Sequence, residues 1–163
     1  MLSINGARLM ERIHALGEIG KDAEGRRTRL AASDAEKEGR DLVAGWIREA
    51  GLELVVDRIG NMFGIWQTAE NRQEKPLMTG SHIDTVINAG QYDGCLGVIG
   101  GIEVIKTLRE AGIRTARPVV VGAFTNEEGV RYSPEMMGCL VYAGGMAVDE
   151  ALAMVGTDGT VLG

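Results

Sequence analysis

The stretch Pro118-Val119-Val120-Val121-Gly122-Ala123-Phe124-Thr125-Asn126-Glu127-Glu128-Gly129 decides how this chain is read. Its first half is a strongly apolar run of the length and composition of a buried strand. It closes on two adjacent carboxylates. Like charges repel in a low dielectric, and each carries a desolvation penalty, so such a pair is costly to hold at a strand end. A bound cation removes much of that cost. Upstream, a second apolar run ends in Gly80-Ser81-His82-Ile83-Asp84-Thr85, and an isolated Asp93-Gly94 follows. One histidine and several carboxylates at strand ends point to a metal site with a built-in base.

Outward from these runs the pattern alternates between helical and extended segments. Leu2, Leu9, Ile13 and Leu16 recur at helical spacing, which predicts an amphipathic helix over 3–19. Residues 20–32 are polar and read as a loop. Ser33-Asp34-Ala35-Glu36 is a capping box opening a helix that runs to Ala50, with Gly51 as its stop. Residues 52–59 and 62–66 read as a hairpin around Gly60-Asn61. Leu77–Ser81 is a short strand. Residues 94–111 form a helix whose Gly97, Gly100 and Gly101 each cost ~1 kcal/mol relative to alanine, which makes sense if it packs tightly on a sheet. After the 119–125 strand, Ser133-Pro134-Glu135 reads as a helix start, and 147–154 as one or two further turns. The last residues, 156–163, read as a connecting segment. This order of elements is α/β, with crossover helices covering a sheet.

At 163 residues the chain can form one domain with a real core. A net charge of −6 argues against nucleic acid and anionic membrane as main partners. Cys95 and Cys139 match no CxxC spacing, so free thiols are expected, and Met1-Leu2-Ser3-Ile4-Asn5 lacks a charged region followed by an apolar one, so a cytoplasmic location is expected. No apolar stretch approaches the ~20 residues that span a bilayer. Residues 94–101 are glycine-rich but fit neither GxGxxG nor a P-loop. His14 reads as a surface histidine.

In open α/β sheets, sites form at the carboxyl ends of strands, where His82 and Glu127-Glu128 fall. Positions i and i+2 of a strand share a face, so Asp84 can accept the second ring N–H of His82, as a carboxylate beside a metal-bound imidazole does. An isolated HxD is as readily a histidine capping a loop. Asp93 alone is as readily a turn residue, and Glu127-Glu128 alone a solvated pair.

Taken together, four segments resemble the zinc-dependent aminoacylase and carboxypeptidase superfamily. They are Arg29-Leu-Ala-Ala-Ser-Asp-Ala-Glu-Lys-Glu-Gly-Arg-Asp41, Gly80-Ser-His-Ile-Asp-Thr85, Tyr92-Asp-Gly94, and Phe124-Thr-Asn-Glu-Glu-Gly-Val-Arg-Tyr-Ser-Pro134 with Met137-Gly138. The first segment and the region after the glutamate pair resemble its N-carbamoyl-L-amino-acid hydrolase, allantoate amidohydrolase and β-ureidopropionase branch. The resemblance implies a three-layer α/β/α domain with a mostly parallel mixed sheet, of which residues 1–163 would be the N-terminal portion. The lid and dimerisation domain and the C-terminal portion would lie outside these residues.

The same resemblance implies a two-metal site holding zinc or manganese. His82 would bind one ion, Asp93 would bridge both, and Glu128 would bind the second. Glu127 would be the general base, taking a proton from a metal-bridging water, and Asp84 would orient His82. The implied substrate is a small ureido or N-carbamoyl compound cleaved at a linear C–N bond, and the implied parent is a homodimer. Two further histidines, one per metal, would come from outside this chain, so this segment alone is expected to be inactive. A cis peptide after Asp93 is also implied. The alternatives are a peptidase or N-deacylase of the wider superfamily, and a non-catalytic fragment that retains the fold.

Overall fold

The computed structural model describes residues 2–163. Two helices come first, α1 (Gly6–Glu18) and α2 (Asp34–Glu49). Strands β1 (Glu53–Val56), β2 (Met62–Trp66) and β3 (Leu77–His82) follow, then α3 (Cys95–Glu110) and β4 (Val119–Phe124). Two short helices, α4 (Met137–Tyr142) and α5 (Val148–Leu152), complete the described residues. The chain is α/β with a mixed sheet and flanking helices.

The sheet runs in the order β1-β2-β4-β3. β1 pairs antiparallel with β2, and β2 antiparallel with β4, while β3 and β4 pair in parallel from Leu77↔Val119 to His82↔Phe124. Three of the four strands therefore point the same way, although only one of the three ladders is parallel. That ladder is the crossover unit β3-α3-β4, and its two carboxyl ends lie side by side.

Alternation along β4 builds the layers. Val121 and Ala123 face α1, α2 and α3, in a core with Ile13, Leu16, Val43, Ile47, Val98, Ile99, Ile102 and Ile105. Phe124 faces the other way and meets Phe63 and Tyr142 edge-on, with ring centroids 6.0 and 5.8 Å away, while Phe63 and Tyr142 lie tilted against each other at 5.4 Å. This aromatic contact seats α4 on the second face of the sheet. Close packing of α3 explains two of its glycines. A Cβ at Gly97 would come within 2.8 Å of the Ser81 Cβ, and one at Gly101 within 2.8 Å of Val121. Gly100 meets open space instead.

Several boundaries move for local reasons. Ser33 caps α2 through the Glu36 N–H, but the returning Glu36 carboxylate takes the N–H of Ala32 rather than that of Ser33. β1 stops at Val56 because the Asp57 carboxylate accepts from the N–H groups of Ile59 and Asn61, folding the chain into its turn. The helix expected from Ser133-Pro134 begins only at Met137. Pro134 instead gives its carbonyl to Asn126 Nδ2, and Met136 donates its N–H to the Glu127 carbonyl. Residues 155–161 close a small turn, bridged Val155↔Val161, with Thr157 donating to the Arg131 carbonyl.

One buried ion pair ties α1 to α3. The fully buried Glu103 accepts from the Asn5 N–H, from Arg8 Nε at 2.7 Å and from Thr107 Oγ1. Burial pushes this carboxyl up, but the Arg8 bonds and charge and the other donors outweigh it and hold it below its ordinary value of 4.5. A depressed carboxylate stabilises the fold above the unfolded value and loses that contribution as pH falls through the folded one. Glu103→Gln should therefore cost about 2 kcal/mol at pH 7. The gap from the unsubstituted protein should narrow below pH 4.5 in urea-unfolding curves taken down the pH scale.

Candidate metal centre

The parallel ladder sets the site. His82 is the last residue of β3, paired with Phe124 at the end of β4. Beyond Phe124, Asn126 is fully buried and left-handed at φ 51°, and its Nδ2 donates to the carbonyls of Tyr132 and Pro134. Asparagine is among the few side chains that enter this backbone region readily. The turn it makes aims Glu127 and Glu128 back towards β3. Asn61 braces the same corner, accepting the Thr125 N–H and donating to the Gly138 carbonyl. A Cβ at Gly138 would fall 2.2 Å from Asn61 Oδ1, which accounts for the glycine.

Three of the expected ligands converge. Donor atoms of His82, Asp93 and Glu128 all lie within 4.8 Å of one another. His82 Nε2 is 3.2 Å from Glu127 Oε2 and 3.8 Å from Asp93 Oδ1. His82 is buried, Glu127 and Glu128 are half-buried, and Asp93 is exposed. Gly94, at φ 62°, lies against the imidazole, and a Cβ there would come within 2.5 Å of its ring. Among the described residues the one cis peptide is Ser133–Pro134, so the bond after Asp93 is trans, against the expectation. The Asp93 carboxylate reaches the histidine without it.

Asp84 is placed differently from the simple i, i+2 reading. His82 Nδ1 lies 2.9 Å from the Asp84 main-chain carbonyl oxygen and 3.7 Å from its carboxylate. A donor on Nδ1 leaves Nε2 as the ring's free lone pair, facing Asp93 and the glutamates. The carboxylate does something else. Its Oδ1 accepts the Glu127 N–H at 3.3 Å and its Oδ2 the Glu128 N–H at 3.1 Å. Asp84 thus joins the two strand ends. Burial raises its pKa, opposed by those N–H groups and by His82.

The group's electrostatics invite a cation. Four carboxylates surround a single imidazole. Burial pushes the Glu128 carboxyl up and neighbouring Asp93, Asp84 and Glu127 push it the same way, with His82 opposing. Glu128 Oε1 is buried with no hydrogen-bond partner. An orphaned carboxylate oxygen beside an imidazole lone pair is a donor set suited to a divalent cation. Sequence reasoning missed Asn126, whose signal was its place between a β-rich run and the glutamates, and Asn61, which sits in an ordinary turn.

A family model described as peptidase family M20/M25/M40 matches residues 78–163, the part that carries all five site residues. The chain belongs to that family. It is 39% identical over 168 residues to the N-carbamoyl-L-amino acid amidohydrolase of Geobacillus stearothermophilus, covering 95% of this chain and 41% of that protein. It is 41% identical over 141 residues to the allantoate deiminase of Arabidopsis thaliana, covering 85% and 26%. Among solved structures, a hydantoinase/carbamoylase family amidase from Burkholderia ambifaria superposes with a TM-score of 0.95 at 41% identity, covering 99% of this chain and 40% of that one. The chain spans about two fifths of the length of the two bacterial relatives, and less of the plant one.

If Gly94 is there to let the imidazole approach, adding one methyl should displace it. Gly94→Ala in the full-length protein should weaken zinc binding by about 10–100-fold, the range for disturbed support of a metal ligand. Its far-UV circular dichroism should be unchanged. Chelator competition measures the affinity.

Proposed function

We propose that this chain is the portion of an amidohydrolase catalytic domain that carries the general base and three of the metal-binding side chains. The substrate would be an N-carbamoyl amino acid or a related linear ureide such as allantoate. The observation that carries this reading is the convergence of His82, Asp93, Glu127 and Glu128 on one space, in a chain 39–41% identical to proteins named for those activities. In this reading His82, Asp93 and Glu128 would hold two divalent cations, zinc or manganese. Cations so held lower the pKa of water and polarise a carbonyl oxygen.

The remaining work belongs to the protein's own side chains. Glu127, whose Oε2 lies 3.2 Å from His82 Nε2, takes a proton from the attacking water and passes it to the leaving nitrogen. Asp84 keeps Glu127 in place by holding its backbone N–H, and its main-chain carbonyl keeps His82 in the tautomer that presents Nε2. Residues 1–163 supply three candidate donors for two cations, whereas catalytic zinc sites use about three protein ligands each. Alone, this segment should bind metal weakly and turn over no substrate. The parent protein would be a dimer acting in the cytoplasm. Among the described residues no helix is long and apolar enough to cross a membrane.

Glu127→Gln tests the assignment of the base. In the full-length protein it should leave metal content nearly unchanged and lower turnover of N-carbamoyl-L-amino acids at least ~10²-fold, the usual contribution of a general base. Retention of most of the activity would mean that another group moves the proton. Hydrolysis of dipeptides in preference to N-carbamoyl amino acids and allantoate would overturn the substrate class.

A further inference from the structure

Arg29 opens the first motif of the sequence and takes no part in the chemistry described so far, yet it is the largest side chain with no exposed surface. A buried guanidinium ordinarily pairs with a carboxylate. Arg29 hydrogen-bonds to none. Its Nε donates to the Ile83 carbonyl at 2.7 Å, and its terminal nitrogens donate to the Leu16 and Ile19 carbonyls and to Cys95 Sγ. Its main chain is bound to the same strand end. The Arg29 N–H donates to Thr85 Oγ1 at 2.8 Å, and the Thr85 N–H donates to the Arg29 carbonyl at 2.9 Å.

These bonds grip both peptide groups that flank Asp84. The peptide before it has its carbonyl, that of Ile83, fixed by Arg29 Nε. The peptide after it is fixed through the Thr85 N–H, and its other end is the Asp84 carbonyl that faces His82 Nδ1 at 2.9 Å. A peptide is planar, so holding its N–H also sets the direction of its carbonyl. Asp84 is thereby fixed at both ends while its carboxylate holds the N–H groups of Glu127 and Glu128. A third bond reaches Cys95, in the first turn of α3, directly after Asp93-Gly94.

We infer that Arg29 is a positioning residue for the metal centre: by clamping residues 83–85 it fixes the imidazole of His82 and the hinge to Glu127-Glu128. The chemistry of the side chain suits that task. Guanidinium presents five N–H donors in a rigid plane, which serve the α1 end, the β3 end and the α3 start at once. A lysine keeps the charge but offers a single point of attachment and cannot span the same acceptors.

This inference rests on the metal reading above, and cobalt(II) added to the full-length apoprotein separates the two. Cobalt absorption reports the ligand geometry of the bound fraction, independently of turnover. Arg29→Lys should bind cobalt at least tenfold more weakly and with a shifted visible spectrum. Thr85→Val, a milder change at the same clamp, should move both in the same direction. Ile105→Ala, which opens a cavity in the core far along α3, is the control for lost stability and should leave affinity and spectrum unchanged at temperatures where it is folded. Native spectrum and affinity in folded Arg29→Lys or in Thr85→Val would overturn the clamp. So would a loss of affinity in all three variants that follows only their urea midpoints. Absence of cobalt binding by the unsubstituted protein would overturn the metal reading and this inference with it.

Discussion

Four carboxylates, Asp84, Asp93, Glu127 and Glu128, crowd one imidazole at the sheet's carboxyl edge, and much of the surrounding structure answers to that crowding. Burying several like charges together opposes folding unless each finds donors or a cation. Asp84 is the member that the protein satisfies by itself, since its two oxygens take one backbone N–H each from the neighbouring strand end. Glu128 is the member left partly unsatisfied, with a buried oxygen that no protein donor meets. The contrast divides the cluster into a structural carboxylate and a group poised for an external charge.

The rest of the fold can be seen as what holds that cluster in place. The parallel β3-β4 ladder puts His82 beside Phe124, so the histidine and the glutamates leave the sheet as neighbours. Asn126 bends the chain back in a left-handed turn, and Asn61 pins the preceding residue. Gly94 admits the imidazole, and Gly97 and Gly101 let α3 lie close against β3 and β4. Arg29, buried without a carboxylate, grips the residues between His82 and Thr85. Energy spent on such local arrangements is characteristic of functional sites, where strain and buried polar groups are tolerated for the sake of geometry.

Much of this was legible in the amino-acid sequence, for reasons that differ by element. The apolar 119–124 run and the amphipathic α1, α2 and α3 carry their burial in their own periodicity, and their cores match the spacing of Ile13, Leu16, Val43, Ile47, Val98 and Ile102. His82 and Glu128 follow apolar strands, so their approach was legible once the sheet was assumed, whereas Asp93, in the loop just before α3, was joined to them only by the family resemblance. Partners distant in sequence were not legible. Ser133-Pro134-Glu135 is a sound local helix start, but Asn126 claims the Pro134 carbonyl and delays α4 to Met137. Spacing places Asp84 beside His82 but cannot say whether its carbonyl or its carboxylate faces the ring. That choice is made by Glu127 and Glu128, more than forty residues away. Arg29 looked like one basic residue of a polar loop, because nothing local marks it as buried.

The central claim is that one space between His82, Asp93 and Glu128 is a two-cation centre. Anomalous diffraction from crystals of the full-length protein grown with zinc measures this directly. The account predicts two neighbouring peaks, one about 2.0–2.1 Å from His82 Nε2 and the other at the Glu128 carboxylate, with Asp93 touching both. Peaks that avoid His82 or Asp93, or no cation in this space at saturating zinc, would contradict it.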